Sequence, residues 1–530
     1  MHWIRRAIAI LAFGLAPLPV LAQTVEPASS GSVTLTLEEA VQVALVNNFA
    51  LRAARLDVES AGAQIREAWG QVMPQVDATS SYTRNLVTAN PFAGSEAGGI
   101  FGSLGFVDWL AFNEQARTDG NPETEPIAFD EFMNRRQQGL AEAGAQLGGS
   151  SNPFGVDNQF VNGITVSQTI FSGQAFAAIR GARHLREINA RGLDRQEQVM
   201  IDGVRRAFYQ ALLAEEQASV SLQSVQRTEA TLTEVSRRVD QGVAPKFQRL
   251  SAEVELANLE TQYMQVSASA ETALDQLKME LGIPADVVVQ LRGELDAEPV
   301  RLVRISAQDA AELAIDRRPD LRQARLAIEL RQIDRKMTRA QFYPTLSAFA
   351  NLNYNGNVPD SRTIVSSNPD DPFVFSTRDR GLFSSDFWDP SVNVGMRLTW
   401  NLFNGFQSSA QMQRREVAIR RAEVEFEQLH QAVYLEVQRA LRDLETAEQR
   451  IRSQEANVAR AELNYEFART RLREGVATPL EERDASSALD TSRLNYLQAV
   501  HDYLIARSAF EAAVGSDVSD FSQAQFTTSR

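Results

Sequence analysis

Few residues in this 530-residue sequence are spaced for chemistry. The four histidines, His2, His184, His430 and His501, are scattered and form no metal-ligand spacing. No Ser/His/Asp constellation, phosphate loop or metal motif points to catalysis, and no cofactor is expected. Cysteine is absent, which excludes disulfides and a Cys-linked lipid at a mature N-terminus. With 53 Lys+Arg against 68 Asp+Glu, the chain is acidic, which argues against a nucleic-acid partner. One carboxylate pair stands out, Glu481 and Asp484. Three residues apart in a helix, they share a face. Glu482 and Arg483 between them fit an ordinary solvated helix face equally well.

The elements that position this pair begin after an export signal. Basic Met1–Arg6, apolar Ala7–Leu21 and the small residues ending at Ala22 read as a signal peptide over 1–22. The apolar run is shorter than the ~20 residues a spanning helix needs, and no other segment meets that length. The mature chain is therefore either soluble in an exported compartment or crosses a membrane as β-structure.

Laid on itself, the chain is a duplication. Leu37–Leu45 lies over Ala307–Ile315, Leu51–Leu56 over Leu321–Leu326, and Met73-Pro74 over Tyr343-Pro344, all at an offset of 270. Ile170–Gly173 lies over Leu402–Gly405 at 232, and Gln241–Ala244 over Glu474–Ala477 at 233. Leu281-Gly282 matches Val514-Gly515, again at 233. The fall from 270 to 232 means that the first half carries 38 extra residues between Pro74 and Gly173.

Each copy reads as one unit. The first, 23–282, has helices over 37–72, strands over 74–84 and 159–171 around an outer loop 85–158, a long helix 173–240 and a return helix 246–281. A linker 283–305 follows. The second, 306–515, has helices over 306–342, strands over 344–354 and 391–403 around a loop 355–390, a long helix 405–473 and a return helix 479–514. A polar tail, 516–530, reads as disordered. In the clearest strand Val392, Val394, Met396, Leu398, Trp400 and Leu402 share one face, opposite Asn393, Gly395, Arg397, Thr399 and Asn401. This period of two fits a half-buried soluble sheet or a barrel wall between lipid and water. The long helices carry apolar residues at steps of three and four, as in Val433, Val437, Ala440, Leu444 and Ala447, and at 1.5 Å per residue each is roughly 100 Å long. Such helices need partners alongside. Glycine and then proline mark each tip, at Gly242 to Pro245 and Gly475 to Pro479, where one helix stops and the next starts. Four strands cannot close a membrane barrel, which needs about eight, so they must be pooled with other subunits; three chains give twelve.

From Thr36 to Gly515 the sequence resembles the outer-membrane efflux protein family, whose familiar member is TolC. The resemblance rests on the duplicated helix–strand–strand–helix order, the Pro74 and Pro344 junctions, Phe171-Ser172-Gly173 and Phe403-Asn404-Gly405 at the strand exits, and the paired Gly-Val-Ala tips. It implies an α+β membrane protein: a homotrimer with a twelve-stranded β-barrel in the outer membrane, continuous with a periplasmic α-helical barrel. Implied partners are a periplasmic adaptor and an inner-membrane pump or ABC exporter, in tripartite efflux or type I secretion. The tips Gly242, Val243, Ala244 and Gly475, Val476, Ala477 then meet the adaptor, besides forming tight hairpins. Glu481 and Asp484, six and nine residues past Gly475, match the spacing of carboxylates that narrow the closed pore in some members, and in a trimer would form stacked acidic rings favouring cations. The family's basic residue two places after the tip glycine is Ala477 here, which puts that ion-pair closure in doubt. Arg397, on the polar strand face, is expected to line the pore. Trp400, Phe403, Phe342 and Tyr343 lie where interfacial aromatic girdles form, local packing being the alternative. The rival reading is a periplasmic coiled-coil spacer that does not conduct.

Overall fold

A computed structural model describes residues 33–87, 97–120, 124–144, 156–293, 295, 305–360, 362–368, 371–474 and 476–515. The expected signal peptide, the tail after 515 and Gly475 lie outside the described residues. In chain order the first repeat contains β1 (Val33–Leu35), α1 (Leu37–Asn47), α2 (Phe49–Gly70), β2 (Gln75–Arg84), α3 (Ala97–Thr118), α4 (Phe129–Glu142), β3 (Asn158–Phe171), α5 (Gly173–Asp240) and α6 (Lys246–Leu281). The second follows β4 (Val289–Leu291) and contains α7 (Ala307–Arg317), α8 (Pro319–Arg339), β5 (Thr345–Val358), β6 (Thr363–Ser367), β7 (Phe375–Asp379), β8 (Trp388–Thr399), α9 (Gln407–Arg473) and α10 (Pro479–Val514). No helix among the described residues is long and apolar enough to cross a membrane.

The chain divides into two compact units. The first gathers residues up to Ala61, His184–Glu329 and everything from Arg420. Its core is helical. Val204, Phe208 and Leu213 of α5 lie in one cluster with Leu277 and Leu281 of α6, Val433 and Val437 of α9, and Phe510 of α10. These are the apolar stripes of the long helices, buried against one another as heptad-like spacing requires. The short helices seal the side of this core with alanines, Ala40 and Ala44 from α1 and Ala310 and Ala314 from α7, whose small side chains let the helices sit close. Thr36 caps α1, accepting from the Glu39 backbone N at 3.3 Å while the Glu39 carboxylate accepts from Thr36 N at 2.9 Å. Gly282 ends α6 in the left-handed conformation, φ 69°, and a Cβ there would stand 2.4 Å from the Asn47 carbonyl oxygen. Only glycine permits both the dihedral and that approach.

A buried charge network ties this unit together. The Arg318 side chain, 3% exposed, donates to both Asp320 carboxylate oxygens (3.1 and 2.6 Å), to Glu436 (2.7 Å) and to the Ala513 carbonyl (3.1 Å). It thereby joins the α7–α8 junction to α9 and α10. Burial alone would raise the Asp320 carboxyl, but the Arg318 hydrogen bonds and the charges of Arg318 and Arg195 outweigh it and hold the group below its ordinary range. The region expected as a plain linker holds β4, which pairs in parallel with β1 from Val33↔Val289 to Leu35↔Leu291. Three-residue strands are too short to carry a readable period.

The second unit, Gly62–Arg183 and Leu330–Ile419, is built on an antiparallel sheet in the order β2-β3-β5-β8. Beyond the strands, α3 and α4 pack with the connection of the second hairpin around Phe112, Phe132 and Phe373, ring centroids 5.2 to 5.6 Å apart. The Thr377 hydroxyl donates to the Ala143 carbonyl at 3.1 Å. Sequence pattern alone places only one short helix, from Asp130 to Leu147, in this outer loop. It misses α3 because Gly98, Gly99, Gly102 and Gly105 read as loop.

Candidate functional site

The sheet's register sorts its side chains. Leu346, Ala348, Ala350 and Leu352 of β5 face Leu398, Met396, Val394 and Val392 of β8. On the adjoining strands Ile164 and Val166 of β3 face Ala78 and Val76 of β2, extending one apolar face across all four strands. Val394 and Met396 are 76% and 71% exposed in the isolated chain. The opposite face carries Ser347, Asn351, Asn353, Thr165, Thr79, Asn393 and Arg397. Asn351 Nδ2 donates to Asn393 Oδ1 across the ladder at 2.8 Å. Arg397 lies here, exposed, with its guanidinium 5.4 Å from the centre of the Phe349 ring.

Aromatic residues gather at both ends of the apolar face. At one end Tyr82, Phe160, Trp388 and Tyr354 form a chain, with successive centroids 5.0, 5.4 and 5.1 Å apart. At the other, Trp400 Nε1 donates to the Phe342 carbonyl at 3.1 Å, and Phe403 stacks edge-on to Phe406. From Tyr343 to Tyr354 at ~3.3 Å per residue is ~36 Å of strand, or ~28 Å in height at a tilt of ~40°, close to the ~25 Å apolar band of a membrane barrel. Sequence position identifies the second cluster and misses the first, whose members sit on four different strands or approaches and meet only through the register.

The helical unit places the tips and the acidic pair. At the first tip Gly242, φ 75°, closes α5: Gly242 N donates to the Val239 carbonyl at 2.9 Å and Val243 N to Arg238 at 3.0 Å. At the second, Val476 N donates to the Arg471 carbonyl at 2.9 Å, the equivalent bond. Val243 and Val476 are 67% and 66% exposed, while Ala244 and Ala477 are half-buried. Thr478 and Glu481 form a capping box at the start of α10. Glu481 also lies 3.5 Å from Arg471, so a base from the other arm of the hairpin reaches the carboxylate near which Ala477 offers none. Asp484, exposed, lies 3.2 Å from Arg483.

Between the two expected gate carboxylates, Glu482 points the other way and is only 8% exposed. Burial pushes its carboxyl up. Arg469 and Arg227 and a hydrogen bond from Tyr465 oppose the rise, and Glu234 adds to it. Nearby Arg227 of α5 pairs with Asp490 of α10, and Ser224 donates to the same carboxylate at 2.7 Å. These groups line a cavity of about 770 Å3 among α5, α6 and α10. Nothing in the sequence marks Glu482 as buried. Its side matters only because α5 and α9 pack on that face. Among the described residues no cluster of His, Cys, Asp or Glu has the form of a metal site.

Comparison with known proteins agrees with this geometry. A family profile described as outer membrane efflux protein matches residues 130–282 and 310–516. The pyoverdine export outer membrane protein OpmQ of Pseudomonas aeruginosa is 22% identical over 386 residues, 72% of this chain and 73% of that one. The alkaline protease secretion protein AprF of the same organism is 20% identical over 361 residues, 67% of this chain and 70% of its own. The solved CmeC outer membrane channel of Campylobacter jejuni superposes with a TM-score of 0.65 at 15% identity, covering 93% of this chain and 89% of that one.

Proposed function

The chain belongs to the outer membrane efflux protein family, and we propose that it is one subunit of a homotrimeric channel giving cargo a passive way out. It is an outer-membrane conduit with a periplasmic helical extension, and not an enzyme. The observation that carries the trimer is the sheet: four strands, an apolar face ending in aromatic clusters, and, among the described residues, no partner on the outer edges of β2 and β8. A membrane sheet with open edges leaves backbone groups unpaired in lipid, and three copies supply the strands that close it.

In this reading Arg397 and the amides beside it line the barrel's water-filled side. Glu481 and Asp484 form two acidic rings that constrict the periplasmic entrance, supported by their exposure at the start of α10. The tips Gly242, Val243, Ala244 and Gly475, Val476, Ala477 dock on a periplasmic adaptor serving an inner-membrane pump or exporter. Two exposed valines at equivalent tip positions support this, because each offers apolar surface that a partner would cover. The relatives named for pyoverdine export and protease secretion fit a scaffold whose cargo is set by its partners. The test pairs two measurements. Mass measurement of the detergent-purified protein should give three chains. Val243→Asp with Val476→Asp should abolish efflux while the protein stays trimeric in the membrane. A monomer, or full efflux in the variant, contradicts the corresponding half of the proposal.

A further inference from the structure

The cavity among α5, α6 and α10 has the walls of a binding pocket. On α10 Glu482, Ser486, Asp490 and Leu494 line it, four residues apart and so on one face of the helix. On α6 Ser251, Glu255, Leu259 and Gln262 line it at the same helical spacing. Val220 and Val235 reach it from α5 and are buried, while Phe247 and Leu480 line it and are exposed. At about 770 Å3 it is large enough for a drug-sized molecule, and apolar walls with a few polar groups are the usual make-up of such a site.

The charges in this lining do not balance. Its two bases are engaged, Arg227 with Asp490 and Arg483 with Asp484 at 3.2 Å. Glu255, half-buried, and Glu482, buried, form no ion pair among the described residues. The charges of Arg469 and Arg227 and the Tyr465 hydrogen bond only partly offset the burial of Glu482. A second observation separates these carboxylates from the needs of helix packing. The offset of 233, which holds at the tips and at the helix ends, carries Arg249 onto Glu482, Ala257 onto Asp490 and Glu255 onto Ala488. Arg249 pairs instead with Asp240 at 3.3 Å and Glu253 at 3.8 Å on its own hairpin. The same helical position in the other repeat therefore does without an acid, and the acids that meet in the cavity come one from each repeat. Two carboxylates without a third ligand do not make a metal site.

We propose that this cavity binds a drug-sized organic cation with an apolar body. The positive charge supplies the counter-ion that Glu482 and Glu255 lack, and the apolar body covers Phe247, Leu259 and Leu494. The Phe247 ring, 64% exposed, offers a face on which a cation gains further. An organic anion of the same shape would bring a third negative charge beside two, and a small hydrated cation would leave the apolar walls uncovered. The site is separate from the proposed acidic ring, since Glu481 and Asp484 are exposed and outside the lining. It does not depend on the channel reading, because binding is measured on the protein whether or not it conducts.

Equilibrium dialysis of the full-length, detergent-purified protein tests this, with matched detergent on both sides. The probes are tetraphenylphosphonium, the same-shaped anion tetraphenylborate, and tetramethylammonium, a cation with little apolar body. Tetraphenylphosphonium should bind saturably and about tenfold tighter than either of the others. Glu482→Gln, which keeps the acceptor for Tyr465, should weaken it about tenfold, the scale of one lost charged interaction in a buried setting. Glu255→Gln should weaken it about threefold, as for a more exposed charge. Glu260→Gln, exposed on the same helix and outside the lining, should leave it unchanged and so controls for the chain's overall acidity. Equal binding of tetraphenylborate overturns the proposal, as does wild-type affinity in both Glu482→Gln and Glu255→Gln. Absence of saturable binding to a protein that is trimeric and conducts overturns the site and leaves the channel reading standing.

Discussion

Glu481 and Thr478 bond each other reciprocally: the Glu481 backbone N donates to Thr478 Oγ1 at 3.3 Å, and the Glu481 carboxylate accepts from Thr478 N at 3.3 Å. One member of the proposed acidic ring thus also completes the capping box, with Thr478 as the cap, of the helix that carries it. Removing the side chain would mix loss of charge with loss of a cap worth ~1 kcal/mol. Glutamine serves the same capping box without the charge. We therefore expect Glu481→Gln with Asp484→Asn to reduce cation preference severalfold while leaving the thermal midpoint within a degree or two. Reversal potentials in salt gradients across planar bilayers read this directly. Unchanged selectivity would remove both carboxylates from the constriction.

Glu482 gives a separable pH effect. Its folded-state pKa lies above the ordinary 4.5, so between those two values the folded protein holds a proton that the unfolded chain has released. Stability from this group is therefore present at low pH and lost as pH rises through the folded-state value. Glu482→Gln keeps an acceptor for Tyr465 and removes the buried charge. The variant should be more stable than wild type at pH 7.5 by roughly 1 kcal/mol, the usual scale for changing one buried hydrogen-bonding group. The advantage should shrink as pH falls and the wild-type carboxyl takes up its proton in the folded state. Denaturant midpoints at several pH values measure it; a variant weaker than wild type at pH 7.5 contradicts the account.

Arg318 and Asp320 have the opposite sign. The depressed Asp320 carboxyl contributes stability that is complete above its ordinary 3.8 and is lost as pH falls through the lower folded-state value. Arg318→Ala removes the charged hydrogen bonds to Asp320 and Glu436, with Arg195 left as their nearest cation at 3.7 and 3.9 Å, and should cost ~1.5–3 kcal/mol. Yield of folded protein and the unfolding midpoint test this. A cost below ~1 kcal/mol would show that solvent reaches the network.

Two glycines with the same dihedral should behave differently. Gly242→Ala meets only the strain of a left-handed alanine, ~1–2 kcal/mol, since nothing lies within 4 Å of the added Cβ. Gly282→Ala carries the same strain and also drives its Cβ against the Asn47 carbonyl. It should fail to accumulate in the membrane at levels where Gly242→Ala is normal. Equal accumulation of the two, by immunoblot of outer-membrane fractions, would contradict this.

The fold was legible because its signals repeat. The alternation from Val392 to Leu402 fixed two faces, and the offset of 270 followed by 232 fixed the order of elements twice over. What stayed hidden depended on contacts between distant segments. Phe160 and Trp388 are 228 residues apart and meet through two seams of the sheet. Glu482 is indistinguishable in sequence from its exposed neighbours Glu481 and Arg483, and only the packing of α5 and α9 covers its side. The short β1–β4 pair and the glycine-rich α3 carry no period long enough to read.

The central claim is conduction through a trimer, and single-channel recording in planar bilayers tests it most directly. The purified wild-type protein should insert and give discrete, reproducible conductance steps. The Glu481→Gln with Asp484→Asn variant should give larger or less regulated steps. A protein that remains trimeric yet conducts under no applied voltage or salt would contradict the account.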